Sequence, residues 1–366
     1  RLLPSVGKIN AYVNNILYCK PSLDLIYNDF REIEGHEFDS VSDEEREEFS
    51  FEESIKIKDI TYRYPNTDKD VLHNVSLVVP KGKTVAFIGS SGAGKTTLAD
   101  IVLGLLQPQQ GEVLVDNWSI YAHMSAWHKK MGYIPQTIYL SDDNIRNNIA
   151  FGIEEEKIDD KAVGQALKKA QLYDFVQSLP DKLNTFVGDR GIRLSGGQRQ
   201  RIGIARALAM NPKFIVCDEP VSALDVSIQA QILNLLQDLK EQMGLTFIFI
   251  THDLSVVNHF ADEIAVMYLG QLIEKAPTEE LFDHPIHPYT RALLSAIPIP
   301  EVGISRPERI LLKGEISSPI DPPDECRFAK RCIYTCDQCH QSCPKLMEVR
   351  PGHFVSCHLW KDFLSE

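Results

Sequence analysis

The run Gly89-Ser90-Ser91-Gly92-Ala93-Gly94-Lys95-Thr96-Thr97 has the residue types and spacing to hold phosphate. It fits the pattern of a glycine, four residues, then Gly-Lys-Ser/Thr. The glycines let successive backbone N–H groups turn inward around phosphate oxygens. The run follows the apolar stretch TVAFI, read as a buried strand, and leads into TLADIVLGLL, read as a helix whose N-terminus adds partial positive charge. Lys95 is placed to reach the β- and γ-phosphates of a nucleotide, and Thr96 to bind Mg²⁺ through its hydroxyl. A glycine-rich turn that binds nothing is the bland alternative, and the strand before and helix after weigh against it.

A second group is Phe214-Ile215-Val216-Cys217-Asp218-Glu219, an apolar strand that delivers two adjacent carboxylates at its C-terminal end. Ligands gather at such ends in open α/β sheets. Asp218 suits Mg²⁺, and Glu219 suits a general base that polarises an attacking water. Alone, the pair reads equally well as a strand end facing solvent. A third group is Leu194-Ser195-Gly196-Gly197-Gln198, ahead of a basic helix. A Ser-Gly-Gly turn at a helix start is a second anion-binding device. One nucleotide does not need two cradles on one chain, so this turn is expected to cap a nucleotide held by another copy. An ordinary N-capped helix is the alternative.

The elements that must position these groups can be read from periodicity. IKIKDITYRY alternates and VLHNVSLVV resembles it, so both are expected strands. KFIVCDE and TFIFITHD are buried strands with the helix SIQAQILNLLQDLKEQM between them. Residues 137–190 carry helical periodicity. Strand–helix alternation predicts an α/β fold, a largely parallel sheet with helices on both faces. Residues 1–30 read as one or two amphipathic helices, either packed on the domain or the cytoplasmic end of a membrane helix. Residues 31–53 hold eleven acids against Arg31 and Arg46 and read as a solvated linker. After about Lys275 prolines become frequent, and the tail reads as a loop-rich appendix.

The 366 residues are enough for two or three domains. With 51 acids against 38 bases the net charge is −13, which excludes a generally basic nucleic-acid binder. No run of 18 apolar residues is present, and no signal peptide is recognised. A start at Arg1 is read as that of a fragment. Six of the eight cysteines fall between Cys326 and Cys357. In a reducing compartment such a cluster points to a metal before disulfides. Cys326, Cys332, Cys339 and Cys357 are spaced C-x5-C-x6-C-x17-C, which can ligate Zn²⁺ or a [4Fe–4S] cluster. Unliganded reduced thiols are the alternative.

The phosphate loop, Leu-Ser-Gly-Gly-Gln, the Asp-Glu strand end and Thr251-His252-Asp253 occur in the order seen in ATP-binding-cassette (ABC) ATPases, and residues 55–275 resemble that family without a gap. The resemblance implies a P-loop NTPase cassette: a RecA-like core, an antiparallel β subdomain and a helical subdomain over 137–205. It implies Mg-ATP and two cassettes arranged head to tail on a transmembrane permease at the cytoplasmic face of the membrane. It further implies that Tyr64 stacks on adenine and that Gln136 couples Mg²⁺ and water to the membrane domain. Ser195 and Gly197 then contact the γ-phosphate of the other cassette, Asp225 lies in the interface loop, and His252 senses the γ-phosphate.

Within the family, the chain resembles two groups. RLLPSVGKIN, SDDNIRNNIAFG and VGDRG, in residues 1 to about 205, are similar to exporter-type flippases of lipid-linked oligosaccharides, although Phe186 stands where exporters often carry an acid. EPVSALDVSIQAQILNLL, HPYTRALLSAIP and the cysteine tail resemble the ATP-binding subunits of oligopeptide and dipeptide permeases, some of which carry an iron–sulfur cluster. The changeover falls inside SGGQRQRIGIARAL, so the chain is read as a chimera, with a genuine intermediate family as the alternative. Peptide uptake leads as the transported class, flipping is second, and a soluble non-transport ABC ATPase or an iron–sulfur sensor is the reading of another class.

Overall fold

The computed structural model describes residues 2–35, 50–65, 67–297, 309–312, 314 and 325–364. The chain divides into two units, Arg1–Glu48 and Phe49–Glu366. The first holds a single helix, α1 (Leu2–Gly35), with Pro21 inside it. Residues 31–35 are therefore helical and not linker, and the acidic residues 36–49 lie outside the described ones. No helix among the described residues is long and apolar enough to cross a membrane. In α1 the ionisable Lys8, Lys20, Asp24 and Asp29 interrupt the apolar positions.

The second unit opens with β1 (Ser54–Arg63) and β2 (Asp70–Pro80), paired antiparallel with Ile55 opposite Val79. Ile55 and Ile57 point into the core and Lys56 and Lys58 away from its centre, the period-two pattern of a half-buried sheet. In β3 (Thr84–Ile88) all five residues are buried, as a parallel strand covered on both faces requires. The phosphate-loop run follows, then α2 (Lys95–Val102). β4 (Gln110–Val115) and β5 (Trp118–Ser119) complete a four-stranded antiparallel sheet in the order β2-β1-β4-β5. The short helix α3 (Met124–His128) leads to β6 (Met131–Ile134).

Three short helices follow: α4 (Ile145–Ile149), α5 (Asp160–Lys169) and α6 (Tyr173–Ser178). Asp159 caps α5 by accepting from Lys161 N–H, and Lys168 and Lys169 sit in its last turn, where the helix dipole favours them. The chain then runs through α7 (Gly196–Ala209), β7 (Phe214–Asp218), α8 (Val226–Met243), β8 (Thr246–Thr251), α9 (Leu254–Phe260), β9 (Glu263–Tyr268) and β10 (Gln271–Pro277). Two helices, α10 (Thr278–Asp283) and α11 (Pro288–Ser295), are followed by a hairpin, β11 (Met347–Arg350) and β12 (His353–Val355), and a short last helix, α12 (Trp360–Leu364).

The large sheet has eight strands in the order β11-β12-β10-β9-β3-β8-β7-β6. The five from β9 to β6 are parallel. β10, β12 and β11 add to the β9 edge antiparallel. The tail is thus not a loop-rich appendix throughout, because its hairpin extends the central sheet, with Glu274 opposite Val355 and Lys275 opposite Phe354.

The entry into β1 is set by one carboxylate. Asp116, in the turn between β4 and β5, accepts hydrogen bonds from Glu52 N–H (2.8 Å), Glu53 N–H (2.8 Å) and Ser54 N–H (2.9 Å). Burial pushes its pKa up, but the three N–H donors outweigh that and hold it below the usual carboxylate range. Asp116→Ala is expected to cost about 1–2 kcal/mol in urea denaturation at neutral pH. Because the folded pKa is the depressed one, that difference is present above the unfolded value near 4 and fades as pH falls through the folded pKa.

Candidate nucleotide site

The phosphate-loop residues lie between β3 and α2, with Gly94 as the N-cap of α2 in a left-handed conformation (φ 94°). No side chain caps that helix, so its first N–H groups face the loop. Two glycines are required by space. A Cβ on Gly89 would lie 2.2 Å from the Met267 carbonyl oxygen, and one on Gly94 would lie 2.7 Å from Leu72 Cδ2. Lys95 is buried at the centre, where its ammonium donates to the carbonyls of Gly89 (2.9 Å) and Ser90 (3.0 Å). Burial lowers its pKa, against the opposing pull of Glu219 and Asp218. Tyr64 Oη lies 3.1 Å from Thr97 Oγ1, which sets this aromatic beside the loop helix.

Asp218 ends β7, and Thr96 hydrogen-bonds its carboxylate. Burial raises the Asp218 pKa, as does the neighbouring Glu219, while Thr96 and Lys95 pull it down. The hydroxyl of Thr96 and the carboxylate of Asp218 are hard oxygen donors held together beside the loop, and they fit Mg²⁺. Glu219 adopts φ 44°, a left-handed conformation that a non-glycine residue holds only at a cost of about 1–3 kcal/mol. That turn sends its carboxylate between two side chains. Gln136 Nε2 donates to it at 3.0 Å, and His252 Nδ1 lies 3.2 Å away. Gln136, Glu219 and His252, singled out separately in the sequence, form one cluster.

Leu194, Ser195, Gly196, Gly197 and Gln198 stand apart from it. Ser195 caps α7 in a full capping box: its Oγ accepts from Gln198 N–H (3.2 Å), and Gln198 Oε1 accepts from Ser195 N–H (2.9 Å). Gly197 is required there because a Cβ would lie 2.9 Å from Ile228. Asp225 precedes α8 without capping it through its side chain. Among the described residues no hydrogen bond joins this turn or Asp225 to residues 89–97.

The cysteine reading finds no support. Burial, then the neighbouring thiols, pushes Cys326 and Cys357 up to about 12. Cys336 Sγ lies 3.5 Å from Cys339 Sγ, and Cys339 is buried. Yet among the described residues no group of three or more His, Cys, Asp or Glu side chains could hold a metal ion. The [4Fe–4S] cluster or zinc expected at Cys326, Cys332, Cys339 and Cys357 is therefore not supported.

One residue escaped the sequence reading. Ser90 N–H in the phosphate loop donates to Tyr289 Oη in α11 at 3.1 Å. HPYTRALL was recognised as a motif, but nothing local in it points to a loop 199 residues away.

A phosphate loop ahead of a helix, an acidic strand end beside it and a parallel sheet under both define a P-loop nucleoside triphosphatase. Comparison with known proteins narrows the class. The family described as ABC transporter matches residues 72–222, and the C-terminal region of oligopeptide/dipeptide transporters matches residues 273–339. A Brucella ovis protein named as a peptide import ATP-binding protein is 44% identical over 304 residues, covering 81% of this chain and 94% of the relative. The oligopeptide transport ATP-binding protein AppF of Bacillus subtilis is 40% identical over 299 residues, covering 80% of this chain and 90% of the relative. A bacterial Atm1-family ABC exporter solved with ATP bound superposes with a TM-score of 0.57 at 34% identity, covering 63% of this chain and 40% of the exporter. The chain belongs to the ABC transporter family of ATP-binding proteins. It is an ATPase that drives transport and works with a second cassette and a transmembrane permease.

A match covering 81% of the chain is too long for the rear half alone and runs through the expected junction. Neither the flippase reading of the front half nor the chimera is supported.

Gly89→Ala checks the loop geometry. A methyl 2.2 Å from the Met267 carbonyl oxygen forces the loop or β9 to shift. The variant is expected to lose about 1–3 kcal/mol of stability by thermal denaturation and to bind a fluorescent ATP analogue at least tenfold more weakly.

Proposed function

We propose that this chain is the ATP-hydrolysing subunit of a peptide importer, seated at the cytoplasmic face of the inner membrane. Two observations support the peptide class. Relatives named for peptide import and oligopeptide transport match about four-fifths of the chain, and the peptide-transporter C-terminal region matches as well.

The observation that carries the mechanism is the placement of Glu219 between Gln136 and His252, beside Asp218 and the phosphate loop. Backbone N–H groups of the loop beyond Ser90 cradle the β- and γ-phosphates, and Lys95 turns from its loop carbonyls to the phosphate oxygens. Thr96 and Asp218 would hold Mg²⁺, which would supply positive charge to the phosphate oxygens. Gln136 reads that position and fixes one oxygen of Glu219. Glu219 accepts a proton from water attacking the γ-phosphate in line. His252 meets the γ-phosphate from the Glu219 side. Tyr64 offers its ring to the base.

Leu194 to Gln198 and Asp225 act on the nucleotide of a second copy. In support, the α7 N-terminus carries a complete capping box, and among the described residues no hydrogen bond joins it to residues 89–97. Each nucleotide is then closed between two chains, and hydrolysis reopens the pair.

Glu219→Gln keeps the shape and removes the base. Its ATP turnover is expected to fall about 100-fold or more, with an ATP-bound dimer accumulating on size exclusion. Unchanged turnover overturns the assigned base. The peptide class is checked by uptake of a labelled peptide into vesicles holding the chain with its permease, where uptake that does not need ATP removes the reading.

A further inference from the structure

One peptide group of the phosphate loop is gripped from two directions. Between Gly89 and Ser90, the carbonyl accepts from Lys95 Nζ at 2.9 Å, while the N–H donates to Tyr289 Oη at 3.1 Å. Lys95 belongs to the loop itself. Tyr289 belongs to α11, beyond the strands that form the parallel core. A hydrogen bond at each end of one amide polarises it and strengthens both.

Tyr289 is itself tightly set. It is 2% exposed, and its N–H donates to Nδ1 of His287, the N-cap of α11. Its ring lies 4.8 Å from that of Tyr268, in β9, and 5.5 Å from that of Phe328. Phe328 follows Cys326 by two residues and also packs on Tyr268 (5.3 Å) and His287 (5.6 Å). The adjacent Arg327 donates to the Leu269 carbonyl, and the N–H of the next residue, Gly270, donates to Ala93 O in the loop at 3.0 Å. The cysteine-bearing segment therefore reaches the phosphate loop by two physical routes, one through Tyr289 and one through the Leu269–Gly270 turn.

We propose that Tyr289 is a positioning residue for phosphate binding, and that through it the C-terminal extension sets the affinity of the loop for nucleotide. The inference rests on the reading of residues 89–97 as the phosphate site. When Lys95 turns to phosphate it releases the Gly89 carbonyl, and the Tyr289 hydroxyl is then what keeps that peptide from rotating. A rotated peptide misaims the N–H groups that follow it. The cost falls on ATP binding and not on the γ-phosphate chemistry, because Glu219, Gln136 and His252 stand on other strand ends and, among the described residues, share no hydrogen bond or ring contact with Tyr289.

The test is Tyr289→Phe in the full chain, which removes one oxygen and keeps the ring packing. The Kd for ATP, read by titration with a fluorescent ATP analogue, is expected to rise about three- to tenfold, the usual effect of one neutral hydrogen bond. The KM for ATP should rise in parallel, with kcat at saturating ATP within about twofold and Tm unchanged. An unchanged Kd overturns the proposal. A parallel fall of kcat, affinity and Tm also overturns it, because that pattern marks a merely structural residue. Ser90→Pro removes the donor from the other side, and adding Tyr289→Phe to it should change the Kd no further. Additive losses overturn the proposed pairing. Lys95→Ala separates the two readings. If it binds ATP normally, the phosphate site itself is misassigned. If it loses ATP while Tyr289→Phe does not, only the role of Tyr289 falls.

Discussion

Everything at the site depends on five parallel strands whose carboxyl ends finish along one line. Register makes the line: Ile88 lies opposite Thr251, Asp218 opposite Ile250, and Ile134 opposite Cys217. The residues just past those pairs are Gly89, His252, Glu219 and, two beyond Ile134, Gln136. Chain segments far apart in sequence thus deliver a phosphate cradle, a carboxylate, an amide and an imidazole to the same edge. The strands can hold that register because both faces are covered, and a slip of one residue would turn each buried side chain to the wrong face.

The edge is polar and partly dry, which is why its groups are electrostatically unsettled in the free protein. Burial raises Asp218 and lowers Lys95, each disfavouring its own charged form. Lys95 resolves its share by donating to two backbone carbonyls, and Asp218 by its bond to Thr96. A nucleotide with its metal would supply the missing counter-charges. The left-handed turn at Glu219 belongs to the same economy, since an extended backbone there would carry the carboxylate away from Gln136 and His252.

How much of this could be read in advance follows from how local each signal is. The phosphate loop, Asp218-Glu219 and the Ser195 cap are short runs whose chemistry and conformation are encoded together, and each lies in the structural context expected of it. The tail was opaque for the opposite reason. β11 and β12 have four and three residues, too few to show alternation, and β12 pairs with a strand about eighty residues earlier. The cysteine spacing was legible, but whether thiols meet as ligands depends on the path of the loops between them. In α1 the polar residues that interrupt the apolar run were visible, yet periodicity could not tell one helix from two.

The extension is fastened to the core by buried charge, and charge fastens in a way that apolar contact does not. Glu274 in β10 is fully buried and accepts from Ile286 N–H (2.8 Å) and His287 N–H (3.1 Å), with His353 Nε2 2.9 Å away. The other ring nitrogen of His353 faces Glu280 at 3.3 Å, and Glu280 also takes Arg350 at 2.9 Å. A buried carboxylate costs several kcal/mol unless every lone pair is met, so such a set adds little net stability. What it adds is position, because an apolar hairpin could slide along β10 while this one cannot without stranding Glu274. The same carboxylate holds the two N–H groups just ahead of α11, and so sets where Tyr289 begins its reach toward the phosphate loop. The strand that joins the hairpin to the sheet, β12, and the helix that touches the loop, α11, are thus both tied to a single side chain.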